Sequence, residues 1–230
     1  MIDLYFSPTP NGLKLKLFME ESGMPHRIVP VSLSRGEQFA PDFLQVSPNN
    51  KIPALVDHAP SDGGEPLALF ESAALLVYLA DKIGRYIATD LRGRALTLQW
   101  LFWQVGGLGP MGGQNGHFRA HAPEPVPYAI ERYTRETQRL YGVLDKHLAD
   151  REFIVGDYSI VDMACYPWVF PHVGLGQDLA QFPHLSRWFA AIAARPATQR
   201  TYVGVHDPYA KKADFSEESR RHLFGQGTKT

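Results

Sequence analysis

The sequence predicts two architectures in tandem: an α/β N-terminal domain on a mixed four-stranded sheet, then an all-α C-terminal domain. Two observations carry this. Short apolar or aromatic runs punctuated by Pro and Gly crowd the first 85 residues, and from Leu91 onward strand signals give way to long helical periodicities. The expected spans are 1–85 for the sheet domain, 92–205 for the helical domain and 206–230 for a polar C-terminal tail.

Ile2-Asp3-Leu4-Tyr5-Phe6 reads as a strand, stopped by the Pro- and Gly-containing loop Ser7 to Gly12. Leu13, Leu17 and Phe18 then recur at helical spacing, predicting a helix from about Asn11 to Ser22 that ends at Gly23. His26 to Val31 is a second strand, and the helical crossover makes it parallel to the first. A polar loop with Arg35, Gly36, Glu37 and Gln38 follows. Pro53 to Asp57 and Leu67 to Phe70 flank the turn Asp62-Gly63-Gly64-Glu65 as an antiparallel pair. Glu71-Ser72 opens a helix whose buried face carries Leu75, Leu76, Leu79 and Ile83, closed by Gly84.

In the second half, Arg92 to Val105 is helical, and Gly106 to Gly113, with five glycines and a proline, is expected to bend or break it. Tyr128 to Leu148 predicts a long amphipathic helix, and Ser159 with Asp162 forms a capping box ahead of the buried run Ile160 to Val173, which Pro167 and Pro171 should kink or end. Leu185 to Ala194 is a further helix, and Asp214 to Thr230 reads as a loosely held tail.

Composition narrows the function. The 230 residues are 44% hydrophobic and 20% charged, a globular balance. Lys and Arg total 23 against 24 Asp and Glu, so no basic field exists to hold nucleic acid or an anionic membrane. No apolar run approaches the ~18 residues of a membrane helix. The N-terminus lacks the basic and apolar stretches of a signal peptide. Cys165 is the only cysteine, which excludes an intramolecular disulfide and a cysteine-based zinc site; a cytoplasmic home, where thiols stay reduced, is expected. His117 and His121 are four apart without a carboxylate between them, a poor metal pattern, and no Gly-rich phosphate loop follows a strand.

Three segments carry chemistry. The loop Ser7 to Asn11 heads the first helix, where free N–H groups and a positive partial charge favour an anion such as a thiolate; Thr9 offers a hydroxyl and Asn11 an amide. The plainer alternative is that Asn11 caps the helix and Thr9 is a turn residue. Ile52-Pro53 opens a strand, and a cis bond there would present the Ile52 backbone to an extended peptide, although spacing alone does not select that isomer. Glu71 could hold a ligand ammonium, with Ser72 and its N–H holding a carboxylate, or the pair could be a helix cap alone. Together the three suit the parts of one charged peptide. Cys165, among apolar neighbours, reads as buried and inert.

The stretches LYFSPTPNG, SPNNKIPALVDH, LFESAALLVYLA and GDYSIVDMACYPW resemble those of glutathione transferases, over nearly all of residues 1–205. SPTPNG, TLQWLFWQVGGLGPMGGQN and PYAIERYTRETQRLY resemble the bacterial Nu class, whose members are glutathione-dependent disulfide reductases related to a yeast nitrogen regulator. The resemblance implies the glutathione transferase fold, with a thioredoxin-like sheet domain, and a homodimer. It implies glutathione as co-substrate, and no metal or nucleotide. Ile52-Pro53 would be the cis-proline pair facing the cysteinyl part of glutathione. Glu71 and Ser72 would hold its γ-glutamyl end, Gln38 and Lys51 its glycyl end, and Thr9 and Asn11 would face the sulfur. Arg132 would approach from the helical domain.

Many relatives activate the thiol with Tyr, Ser or Cys; here the equivalent is Thr9 with Asn11 beside it. A free thiol, with pKa ~8.5, would be lowered by roughly one to three units by two hydrogen bonds and a helix dipole. The expected activity is disulfide reduction by two bound glutathiones without a protein cysteine. The alternatives are conjugation of glutathione to an electrophile and a glutathione-binding regulatory role.

Overall fold

A computed structural model describes residues 1–212 and 214–225. The chain divides into two compact units: Met1–Tyr78 with Asp214 onward, and Leu79–Ala213.

In the first unit, β1 (Ile2–Phe6) pairs in parallel with β2 (His26–Pro30) and antiparallel with β3 (Ala54–Asp57), which pairs antiparallel with β4 (Leu67–Phe70). The sheet order is β2-β1-β3-β4, the mixed four-stranded sheet the sequence predicts. Tyr5 lies opposite Val29 on one side and Ala54 on the other. Helix α1 (Pro10–Ser22) starts one residue before its expected position and ends on Gly23, whose φ of 67° is the left-handed value a glycine C-cap supplies without strain.

The polar loop after β2 contains two short 3₁₀ turns, Leu33–Arg35 and Glu37–Phe39, and a helix the sequence did not signal, α2 (Pro41–Val46). Its Phe43 packs with Val31, Ile52 and Ala54, against Tyr5, Leu33 and Val46. Helix α3 (Ser72–Ile83) buries Leu75, Leu76 and Leu79 completely.

The polar C-terminal stretch was expected to be loosely held. Instead it contains a helix, which in chain order is the tenth: α10 (Glu217–Phe224), capped by Ser216. The remainder of the expected loose tail, residues 226–230, lies outside the described residues. His222 fastens this helix to the sheet unit: its Nδ1 lies 3.0 Å from the Ser34 carbonyl, and its own carbonyl accepts from Gln38 Nε2 at 3.1 Å.

The second unit is helical. Helix α4 (Leu91–Trp103) is capped by Asp90 and runs into a π-helical turn, Gln104–Leu108. Then come α5 (Gly109–Gly116) and a second π turn, His117–His121. The glycine-rich stretch therefore stays helical, against expectation. A Cβ on Gly112 would stand 3.1 Å from the Trp168 ring, and one on Gly113 3.4 Å from it, so the glycines let an indole lie on the helix backbone. Packing has overridden low helix propensity.

Three further helices, α6 (Pro127–His147), α7 (Ile160–Val169) and α8 (Pro183–Ala193), match the expected segments, and a short α9 (Pro196–Thr201) follows. Pro167 lies inside α7, which ends before Pro171. The capping box of Ser159 and Asp162 is formed, and Asp162 also accepts from the Ile154 N–H at 3.0 Å and the Trp188 indole at 2.8 Å. Among the described residues no helix is long and apolar enough to cross a membrane.

Candidate functional site

A cavity of about 280 Å³ opens in the sheet unit, lined by Asn11, Lys51, Ile52, Pro53, Phe70, Glu71 and Ser72. The fold converges three local features on it: the first turn of α1, the approach to β3, and the junction of β4 with α3.

At the first turn, Thr9 is the N-cap of α1. Its Oγ1 accepts the Gly12 N–H at 3.2 Å. A Cβ on Gly12 would fall 2.2 Å from the Ser7 carbonyl, so only glycine lets the loop fold back this closely. The cap is thus Thr9, not Asn11; Asn11 sits within the first turn of α1 and its residue lines the cavity. With Oγ1 accepting from Gly12, the Thr9 hydroxyl keeps its own proton to donate. A hydroxyl donor at a helix N-terminus is suited to an anion such as a thiolate.

At β3, the Ile52-Pro53 peptide is cis. The Ile52 side chain is committed to the core with Phe43 and Val31. Lys51 is exposed at the rim, and partial burial lowers its ammonium pKa. The Lys51 carbonyl is fixed by the buried Ser47 hydroxyl at 2.8 Å.

At the β4–α3 junction, Glu71 has a φ of 74°, a left-handed conformation that disfavours any side-chain-bearing residue and recurs at ligand clamps. Its carbonyl accepts the Leu75 N–H, so Glu71 stands at the N-cap position of α3 with Ser72 in the first turn. Glu71 is exposed and Ser72 buried. The Ser72 hydroxyl receives a hydrogen bond from Lys14 Nζ at 3.1 Å.

Sequence reasoning missed Lys14 and Phe70. Lys14 was legible in one respect: it falls on the same face of α1 as Leu17 and Phe18, three and four residues on, where a solvated lysine is out of place.

Thr9 is not among the residues that line the cavity, and the remaining expected residues stand elsewhere. Gln38 is 1% exposed and does not line the cavity; its Nε2 donates to the His222 carbonyl, and its buried Oε1 accepts no hydrogen bond among the described residues. Arg132 belongs to the helical unit, on α6, with its guanidinium 3.8 Å from Glu136. Cys165 is fully buried within α7. His117 and His121 have ring centroids 6.4 Å apart, and no group of three potential metal ligands occurs among the described residues.

Comparison with known proteins accords with this geometry. The N-terminal domain model of glutathione S-transferases matches residues 9–82 and the C-terminal domain model residues 121–196. The chain is 58% identical to the disulfide-bond oxidoreductase YfcG of Escherichia coli over 199 residues, 86% of this chain and 93% of that one. A glutathione transferase family member from Pseudomonas fluorescens, solved with two glutathione bound, superposes with a TM-score of 0.82 at 45% identity, covering 87% of this chain and 91% of its own. A glutathione transferase from Pseudomonas putida, with one glutathione disulfide bound per subunit, gives 0.82 at 41% identity, covering 87% and 90%. A cavity at the start of α1, β3 and α3, in a chain so closely matched in both halves, places this protein in the glutathione S-transferase family.

Proposed function

We propose that the protein is a glutathione-dependent disulfide-bond oxidoreductase that binds two glutathiones per subunit and works without a cysteine of its own. The observation that carries the reading is a separation. The sole cysteine lies fully buried within α7 of the helical unit, while the cavity of the sheet unit collects polar groups suited to a charged peptide. The bound peptide then has to supply the reactive sulfur.

In this scheme Glu71 holds the ammonium of the γ-glutamyl end and Ser72, with the first N–H groups of α3, its carboxylate. The Ile52 backbone aligns the cysteinyl part, and Gln38 and Lys51 serve the glycyl end. Thr9 and Asn11 donate to the sulfur, and Arg132 serves the ligand from α6. Lowering the thiol pKa raises the thiolate fraction on which exchange depends. One glutathione thiolate attacks a substrate disulfide, forming a mixed disulfide and releasing one substrate thiolate, which takes up a proton. The second glutathione attacks the glutathione sulfur of that mixed disulfide. This gives glutathione disulfide and releases the other substrate thiolate, so two thiols are oxidised as one disulfide is reduced. Two titratable thiols held by the protein's hydroxyl, amide and helix dipole require no metal.

We place the enzyme in the cytoplasm as a homodimer, in keeping with a single reduced cysteine and the family. The test is glutathione-dependent reduction of a small organic disulfide by Cys165→Ser. Full turnover is expected. Loss of turnover in a folded variant sinks the scheme, and faster turnover of an aryl halide than of the disulfide favours conjugation instead. Sedimentation checks the dimer.

A further inference from the structure

Lys14 is 1% exposed, yet a lysine ammonium is among the costliest groups to bury. Its Nζ donates to Ser72 Oγ at 3.1 Å, and Ser72, 7% exposed, lines the cavity. The two residues are 58 apart in sequence, one on α1 and the other opening α3. The chemistry of this pair fixes a direction. An ammonium has three donors and no acceptor, so the hydroxyl must be the acceptor. One lone pair of Ser72 is thereby engaged, and its proton is left to point away from Lys14. A serine at a helix start ordinarily accepts or donates; here one of its two acceptor sites is already filled, which biases it toward donating.

We propose that Lys14 is a positioning residue that biases Ser72 toward donating and so favours a carboxylate at that point of the cavity. The chain is ammonium to hydroxyl to carboxylate. Each donor–acceptor step runs the same way, and the polarised hydroxyl donates more strongly than an isolated one. The α3 N-terminus adds its own positive partial charge at the same point. A purely structural lysine tying α1 to α3 would be indifferent to the ligand's charge. The proposal rests on the reading that glutathione binds here with its γ-glutamyl end at Ser72. It goes further by naming the residue that makes this subsite favour a carboxylate.

The test pairs a protein change with a ligand change. Lys14→Met keeps the length and packing of the stem and removes the ammonium. The ligand change is γ-aminobutyryl-cysteinyl-glycine, which is glutathione without the γ-glutamyl α-carboxylate. The wild-type protein is expected to have a KM at least about tenfold lower for glutathione than for the analogue, the size of one charge-assisted hydrogen bond. In Lys14→Met the glutathione KM rises by about that factor, the analogue KM moves less than about twofold, and the preference collapses. The loss falls in the KM for glutathione rather than in kcat. A variant that weakens both thiols equally, or keeps the wild-type preference, overturns the role of Lys14. Wild-type protein that turns over both thiols with equal KM overturns the assignment of the γ-glutamyl carboxylate to Ser72, and Lys14 with it. Lys14→Gln, which lacks the charge but keeps a polar head, runs the same cycle if the methionine variant does not fold.

Discussion

One substitution separates the cap that Thr9 forms from the sulfur contact proposed for it. Its Oγ1 caps α1 by accepting the Gly12 N–H, and its proton is proposed to donate to the glutathione sulfur. Thr9→Val keeps the shape and deletes the oxygen. Loss of a Thr cap costs about 0.5–2 kcal/mol. The 3.2 Å bond is long and Thr9 only partly buried, which puts the expected loss near the lower half of that range, about 1 kcal/mol. Loss of a donor to a thiolate costs more, about 1.5–3 kcal/mol for a hydrogen bond to a charged group, or roughly 10- to 150-fold in kcat/KM. Urea denaturation reads the first quantity. The pH profile of kcat/KM for a small disulfide reads the second, because the thiolate limb should move to higher pH. Thr9→Ser retains both oxygen and proton and should restore both readings. If Thr9→Val lowers the urea midpoint as expected while kcat/KM falls less than about threefold, or ~0.7 kcal/mol, Thr9 is a cap and nothing more.

Asp162→Asn should destabilise the helical unit by roughly 2–5 kcal/mol, because each carboxylate oxygen accepts two donors and whichever way the amide sits two of them lose an acceptor. Burial raises the Asp162 carboxyl to about 6, above its unfolded value near 3.8, so its contribution is full below pH 3.8 and is lost as pH rises through 6; urea midpoints across that window should show the slope in wild type and not in Asp162→Asn. Asp3 has the opposite sign: hydrogen bonds from Arg27 and His58 hold its carboxyl below 3.8, so its stabilisation is present above that pH and is lost as pH falls through the lower folded value. Asp3→Asn should therefore lose its disadvantage in urea melts taken well below pH 3.8. Ending the chain before Asp214 removes the His222 carbonyl from the buried Gln38 amide, at a cost of about 1–3 kcal/mol, and should lower the melting temperature and raise the KM for glutathione together; an unchanged KM removes Gln38 from the site.

What the sequence made legible follows how local each signal was. Strand β1 is a five-residue apolar run ended by a proline-rich loop, and it appears over the same residues it was read from. The capping box needs only residues 159 and 162, and it formed. Helix α2 escaped notice because its six residues bury only Phe43, too little periodicity to register against a polar surrounding. The glycine-rich stretch misled because its helicity depends on Trp168, more than 50 residues away. Residue types pointed to Asn11, Ile52, Pro53, Glu71 and Ser72, and the resemblance to Lys51; the fold gathers all six around one cavity. Lys14 stayed hidden because its meaning lies in a hydroxyl 58 residues downstream. Gln38 was expected from the resemblance to hold the glycyl end, but it is buried and its amide donates to α10, 184 residues away.

That last contact bears on how the molecule is made. The sheet unit takes in Met1–Tyr78 and resumes only at Asp214, so in sequence the helical unit lies between its two segments. During synthesis all four strands leave the ribosome before the helical unit, yet the helix that docks on Ser34 and Gln38 emerges only after that unit. A nascent chain can assemble its helical half while the half that holds the cavity is still unfinished.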